Sequence, residues 1–254
     1  MKTWFSTYNL LFLSVGLLAL SSCKTTYYQS TVSNKQMIAI NNSIVEDTAI
    51  SNYINPYRTQ LEAKMNEVIG ISTENMIHNR NLPESLLSNF FVDAMMGIGR
   101  KIDPEVDFSM ATKDGIRSNI KAGDITVGTI FEFMPFENLF VVLELKGSDV
   151  LRLADFIAES NGQPIGNAQI LIKDKKLQDF KIAGKNIDPN KTYKLITYDF
   201  IANGGDHVRG LENPVKKTTS TQLVREGLID YIQGISKSGK KIESKLDGRV
   251  KIIQ

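Results

Sequence analysis

Phe131-Glu132-Phe133-Met134-Pro135-Phe136-Glu137-Asn138-Leu139-Phe140-Val141-Val142-Leu143-Glu144-Leu145-Lys146-Gly147 is the stretch on which the fold turns. Phe140 to Leu145 is a compact apolar run that reads as a strand and closes at Lys146-Gly147. Ser148 is expected to cap a helix through Ala158, whose inward face carries Val150, Leu153, Ala154 and Ile157 at helical spacing. Toward the C-terminus, Ile170 to Ile172 and Phe180 to Ile182 read as strands joined by a polar turn around Lys175-Lys176. Tyr193 to Ile201 reads as a further strand. Thr219 caps a helix through Ile232, and Arg249 to Ile253 is a short last strand. Toward the N-terminus, Val106 to Met110 alternates like a strand. Pro83 and Glu84 open a helix with a broad apolar stripe of Leu86, Leu87, Phe90, Phe91, Ala94 and Met95. Residues 52–69 read as a helix with Pro56 in its first turn and Leu61, Met65 and Val68 on one face. Helices and strands mingle without regular βαβ alternation. The expected class is α+β, a mixed β-sheet packed with helices.

The N-terminus carries a different signal. Lys2, an apolar run from Leu10 to Leu20 and the small residues Ser21 and Ser22 before Cys23 have the form of a secretory leader. A transmembrane helix needs about 20 apolar residues; this run is shorter and is broken by Ser14 and Gly16. The junction resembles the lipobox of a bacterial lipoprotein. That implies lipidation at Cys23, export, and anchoring to the cell envelope at the outer membrane. With Cys23 acylated, no thiol remains for a disulfide, a metal site or a nucleophile. Residues 24–49 are polar, rich in Ser, Thr and Asn, and read as a tether with one strand at Gln36 to Ile40. The expected organisation is a signal peptide over 1–22, a tether over 23–50 and a folded domain over 51–254.

Composition narrows the chemistry. The chain has 30 Lys plus Arg against 28 Asp plus Glu, a balance that gives no reason to expect a nucleic-acid partner. It has two histidines, His78 and His207. Zinc and two-metal hydrolase sites draw on several histidines plus carboxylates, so no metal site is expected within this chain. There is no P-loop, no Gly-rich dinucleotide turn and no nucleophile elbow.

Three segments are more specific. They are Gly115-Ile116-Arg117 leading to Gly123-Asp124-Ile125-Thr126, then Pro135-Phe136-Glu137-Asn138 with Lys146-Gly147 after its strand, and Asp199-Phe200-Ile201-Ala202-Asn203-Gly204-Gly205-Asp206. In order and spacing they resemble the C-terminal domain of the 5'-nucleotidase family, over residues 55–254. The family joins a metallophosphatase domain, which holds two metals, to a C-terminal domain that binds the nucleotide. The resemblance therefore implies the substrate-binding half, with no catalytic residue here and the divalent metals on a separate metallophosphatase chain.

The resemblance also assigns residues. Phe136 and Phe200 match the two aromatic rings that sandwich the base, a contact that tolerates different bases. Asp206 matches the carboxylate that accepts ribose hydroxyls, which suits a vicinal diol because one carboxylate can accept two hydroxyls. Asn138 matches a polar partner near the sugar, and Arg117 an arginine on the phosphate side, whose planar fork pairs with phosphate oxygens. Two departures stand out: Asp114 replaces a glycine and puts a negative charge near the expected phosphate, and Glu137 replaces another glycine. Arg80 is the nearest candidate for a further arginine, and both His78 and His207 read as ordinary loop histidines. Two other readings are open. One is a structural or interaction lipoprotein that keeps the fold without the ligand. The other is a hydrolase using carboxylates such as Glu132 and Glu137.

Overall fold

The computed structural model of the chain describes residues 37–41 and 43–253. The leader and the lipidation position Cys23 lie outside the described residues. By internal contacts the chain forms two units, Met1–Thr48 and Ala49–Gln254, and the second contains the core. The strand expected at Gln36 to Ile40 is not formed over its described part: residues 37–40 have no regular structure and are solvent-exposed.

Helix α1 runs Thr48–Met65 and strand β1 Val68–Ser72. This corrects the helix expected over 52–69. Val68 opens a strand, and Pro56 sits in the helix interior, where its ring removes one backbone bond. No residue of α1 is buried, so its apolar spacing does not mark a core-facing side. Helix α2, Leu86–Ile102, is the opposite case. Ser85 caps it reciprocally with Ser88, and Leu87, Phe90, Phe91, Ala94 and Met95 are all buried. Each such large apolar side chain contributes about 1.5–3 kcal/mol on burial.

The large sheet holds β2 (Phe108–Met110), β4 (Leu139–Lys146), β5 (Ile165–Gly166), β9 (Thr192–Tyr198) and β10 (Lys216–Leu223), in the order β10-β4-β9-β2-β5. β2 runs parallel to β9, and β4 runs antiparallel to both β9 and β10. A second sheet, β11-β6-β7-β8, holds β6 (Ala168–Lys173), β7 (Lys176–Ile182), β8 (Lys185–Asn186) and β11 (Val250–Ile253), with β11 parallel to β6. A small pair joins β1 to β3 (Gly123–Thr126). The mixed sheets and their helices make this an α+β fold.

Helix α4 (Gly147–Glu159) packs between the two sheets through Val150, Leu153, Ala154 and Ile157. It starts one residue before the expected cap, and Ser148 makes no capping bond. The loop at 189–191 does that work: the Gly147 and Ser148 amides donate to the carbonyls of Lys191 and Pro189. Helix α3 (Val127–Phe133) is capped by Thr126 and Thr129. Two more corrections concern the C-terminal third. β9 stops at Tyr198 and a short helix, α5 (Asp199–Ala202), follows. Thr219 pairs with Val141 inside β10, and the last helix, α6, runs Val224–Lys237.

Both hairpins of the second sheet close through two residues at positive φ, Asp174-Lys175 and Ala183-Gly184. Such paired left-handed turns favour Asn or Gly at the first position. Ala183 holds φ 49 with neither advantage. Ala183→Asn should therefore stabilise the fold by about 1 kcal/mol. The urea midpoint should rise at unchanged slope; an unchanged or lower midpoint would show that the turn is not strained.

Candidate functional site

Topology gathers three loops at one end of the large sheet. β2 and β9 end there, and β4 begins there, because Phe140 pairs with Tyr198. The loop after β2 carries Thr112 to Arg117. The loop before β4 carries Phe136 and Asn138, and the segment after β9 carries Phe200 and Asp206. Every residue assigned from the sequence resemblance comes from one of these loops. Phe136 lies four residues before the paired position and Phe200 two residues after it.

Phe200 is 49% exposed and lines an open groove of about 510 Å³ with Asn138, Asp199, Asn203, Gly204 and Gly205. Two glycines make this possible. Gly204 holds φ +90, and a Cβ on Gly205 would lie 2.5 Å from the Phe200 ring. The ring therefore lies against bare backbone. Phe136 is half-buried against the core, and the Arg117 guanidinium stands over its ring, 5.7 Å from the centroid.

Asp206 holds φ 54 and is half-buried. One of its carboxylate oxygens accepts a short hydrogen bond from the Thr112 hydroxyl, 2.5 Å away. Thr112 in turn meets the buried Tyr198 hydroxyl at 3.3 Å. Burial pushes the Tyr198 phenol up to about 12, so it stays protonated. The left-handed backbone at Asp206 is thus held by a buried hydroxyl pair that sequence reasoning missed. Tyr198 ends β9 and reads as an ordinary sheet position, and Thr112 lies in the loop after β2 with no motif to mark it. Gly115 completes the contact, because any Cβ there would collide with the Tyr198 hydroxyl.

Beside Phe136 lies a second hollow of about 350 Å³, lined by His78, Arg80, Ile116, Arg117, Ser118 and Asn119. Arg80 therefore does reach the neighbourhood of Arg117, where it forms a 2.9 Å ion pair with Asp114. His78, read from sequence as an ordinary loop residue, lines the same hollow. Both its ring nitrogens are buried without a hydrogen-bond partner. Desolvation, with the nearby Arg80 and Lys113 charges, lowers its pKa and keeps it neutral. Burial likewise lowers the Lys113 amine to about 8, and this amine donates to the carbonyls of Arg80 and Asn161. His207 stays exposed.

Arg225 is buried with no carboxylate partner among the described residues. Its guanidinium stacks 4.1 Å from the Phe131 ring centroid and donates to the Phe136 carbonyl at 3.2 Å, which fixes the backbone of the Phe136 loop. Among the described residues no cluster of three or more His, Cys, Asp or Glu side chains could hold a metal ion. Glu132 and Glu137 are both exposed.

An exposed ring over glycine, a fixed carboxylate and an arginine-lined hollow thus lie on the loops at one end of a mixed sheet. A family model for the 5'-nucleotidase C-terminal domain matches residues 63–213, and the chain belongs to that family. Protein UshA of Escherichia coli is 30% identical over 219 residues, which cover 83% of this chain and 36% of UshA. Among solved structures, the 5'-nucleotidase precursor of Thermus thermophilus has the same fold, with a TM-score of 0.69 at 24% identity, over 82% of this chain and 44% of that one. The NAD nucleotidase of Haemophilus influenzae aligns with a TM-score of 0.63 at 19% identity, over 81% of this chain and 41% of its own. The chain thus spans about a third of the length of its curated relative UshA.

Proposed function

We propose that this domain binds a nucleotide or nucleoside outside the cytoplasm and presents it to a metallophosphatase on a separate chain. Hydrolysis of nucleoside 5'-phosphates would then need both. The observation that carries the reading is the Phe200 groove. An apolar ring lies half open to solvent against bare glycine backbone, and Asn138 lines the same groove. In this reading Phe200 and Phe136 stack on the base, Asp206 and Asn138 meet the ribose, and Arg117 reaches the phosphate. The hydrogen bond from Thr112 to one carboxylate oxygen orients Asp206 and leaves its other oxygen to accept a ribose hydroxyl. The divalent metals belong to the partner, since two histidines cannot supply a two-metal site here. A lipid on Cys23 would hold the domain at the outer membrane.

Isothermal titration with adenosine and AMP tests the proposal. Heat of binding is expected for both, and phosphate release only once an exported metallophosphatase is added. Folded protein that gives no heat at millimolar ligand would falsify the proposal and favour an interaction lipoprotein. Phosphate release by this chain alone, surviving chelation, would favour the carboxylate hydrolase.

A further inference from the structure

Asp114 brings a negative charge into an otherwise cationic part of the site. Its carboxylate lies 2.9 Å from the Arg80 guanidinium, and its backbone carbonyl accepts from Arg117 at 3.4 Å. Both side chains of the Arg80–Asp114 pair are more than half exposed, so the pair adds little to fold stability. Its consequence falls on whatever charge a ligand brings to the hollow between Arg80, His78 and Arg117. Among the residues that line this hollow the permanent cations are Arg80 and Arg117, and Asp114 pairs with Arg80.

We propose that Asp114 is a specificity-determining residue that selects against a doubly charged phosphate monoester relative to a singly charged phosphate diester or an uncharged nucleoside. The proposal rests on the nucleotide-binding reading above. It works in two ways. The carboxylate competes with phosphate for the Arg80 fork, and it repels the ligand's charge directly, twice as strongly for a dianion as for a monoanion. An effective dielectric between that of a protein surface and bulk water makes one such unit-charge contact worth about three- to tenfold in affinity. Salt shrinks the effect over roughly 8–10 Å.

Titration calorimetry of the full chain and its Asp114→Asn and Arg80→Gln variants, with adenosine, AMP and the methyl ester of AMP, tests this. In Asp114→Asn, AMP should tighten about 10- to 100-fold, the square of the unit-charge factor. The methyl ester should gain about half as much on a logarithmic scale, and adenosine should not change. Arg80→Gln should weaken AMP more than adenosine. Equal shifts for AMP and adenosine in Asp114→Asn overturn the proposal, as does Arg80→Gln that leaves AMP unaffected. A chain that binds none of the three overturns the nucleotide reading itself. Adenosine binding without the charge-dependent shift overturns only the role of Asp114.

Discussion

Phe200→Ala is expected to weaken adenosine and AMP binding by about 10- to 100-fold, the loss of one face of a base stack. The same change should leave the thermal midpoint within a degree or so of the parent, because surface substitutions away from the core are usually within about ±0.5 kcal/mol. The ring is 49% exposed and lies on Gly205, so its removal opens no cavity in the core. Phe136→Ala makes the control. That ring is half-buried against the core and carries Arg117 on its face, so its loss should lower stability as well as binding. Unchanged adenosine affinity in Phe200→Ala, with the fold intact, would remove the base from this groove.

The largest expected effect on stability lies elsewhere, at Arg249→Ala. The Arg249 side chain is 9% exposed and grips Asp93 of α2 with two bonds, at 2.6 and 3.1 Å. It also meets both carboxylate oxygens of Asp247 at 2.8 Å. Removing one partner of a fully buried pair costs about 3–5 kcal/mol. Asp93 is 48% and Asp247 35% exposed, so solvent screens what is left behind. A loss of about 2–3 kcal/mol is expected, readable as a lower urea midpoint.

The pH dependence has a definite sign. Hydrogen bonds from Arg249 hold the Asp247 carboxyl below its ordinary 3.8. The stabilisation from Asp247 is therefore fully present above about pH 4 and is lost as pH falls through the depressed folded value. The gap between parent and variant should be widest at neutral pH and should narrow below about pH 4. A gap that is constant with pH would mean that Arg249 matters for packing alone.

Much of the core was legible in the sequence because its signals are local. The apolar run Phe140 to Leu145 and the stripes of α2 and α4 needed no knowledge of their partners. What failed was non-local or ambiguous. Thr219 looks like a helix cap, yet it lies in β10 because Val141 offers it a ladder partner. Val68 continues a helical spacing, yet β3 pairs with it as a strand. Ser148 makes no capping bond because the 189–191 loop already satisfies the amides at the start of α4. The site divided in the same way. Arg117, Phe136, Asn138, Phe200 and Asp206 were named from a resemblance, and the three loops that carry them converge at one sheet end. Thr112, Tyr198, His78 and Arg225 act through burial, which one sequence does not reveal. In the sequence Arg80 is only the nearest candidate for a further arginine; the fold places it beside Asp114.

The parallel union of β11 with β6 has a bearing on biosynthesis. Residues 250–253 cover one side of β6, and Arg249 answers a carboxylate that emerged from the ribosome 156 residues earlier. A nascent chain cut short before Arg249 would therefore carry an uncovered β6 and an unanswered Asp93. Proteases that survey incomplete translation products could then tell it from the finished polypeptide.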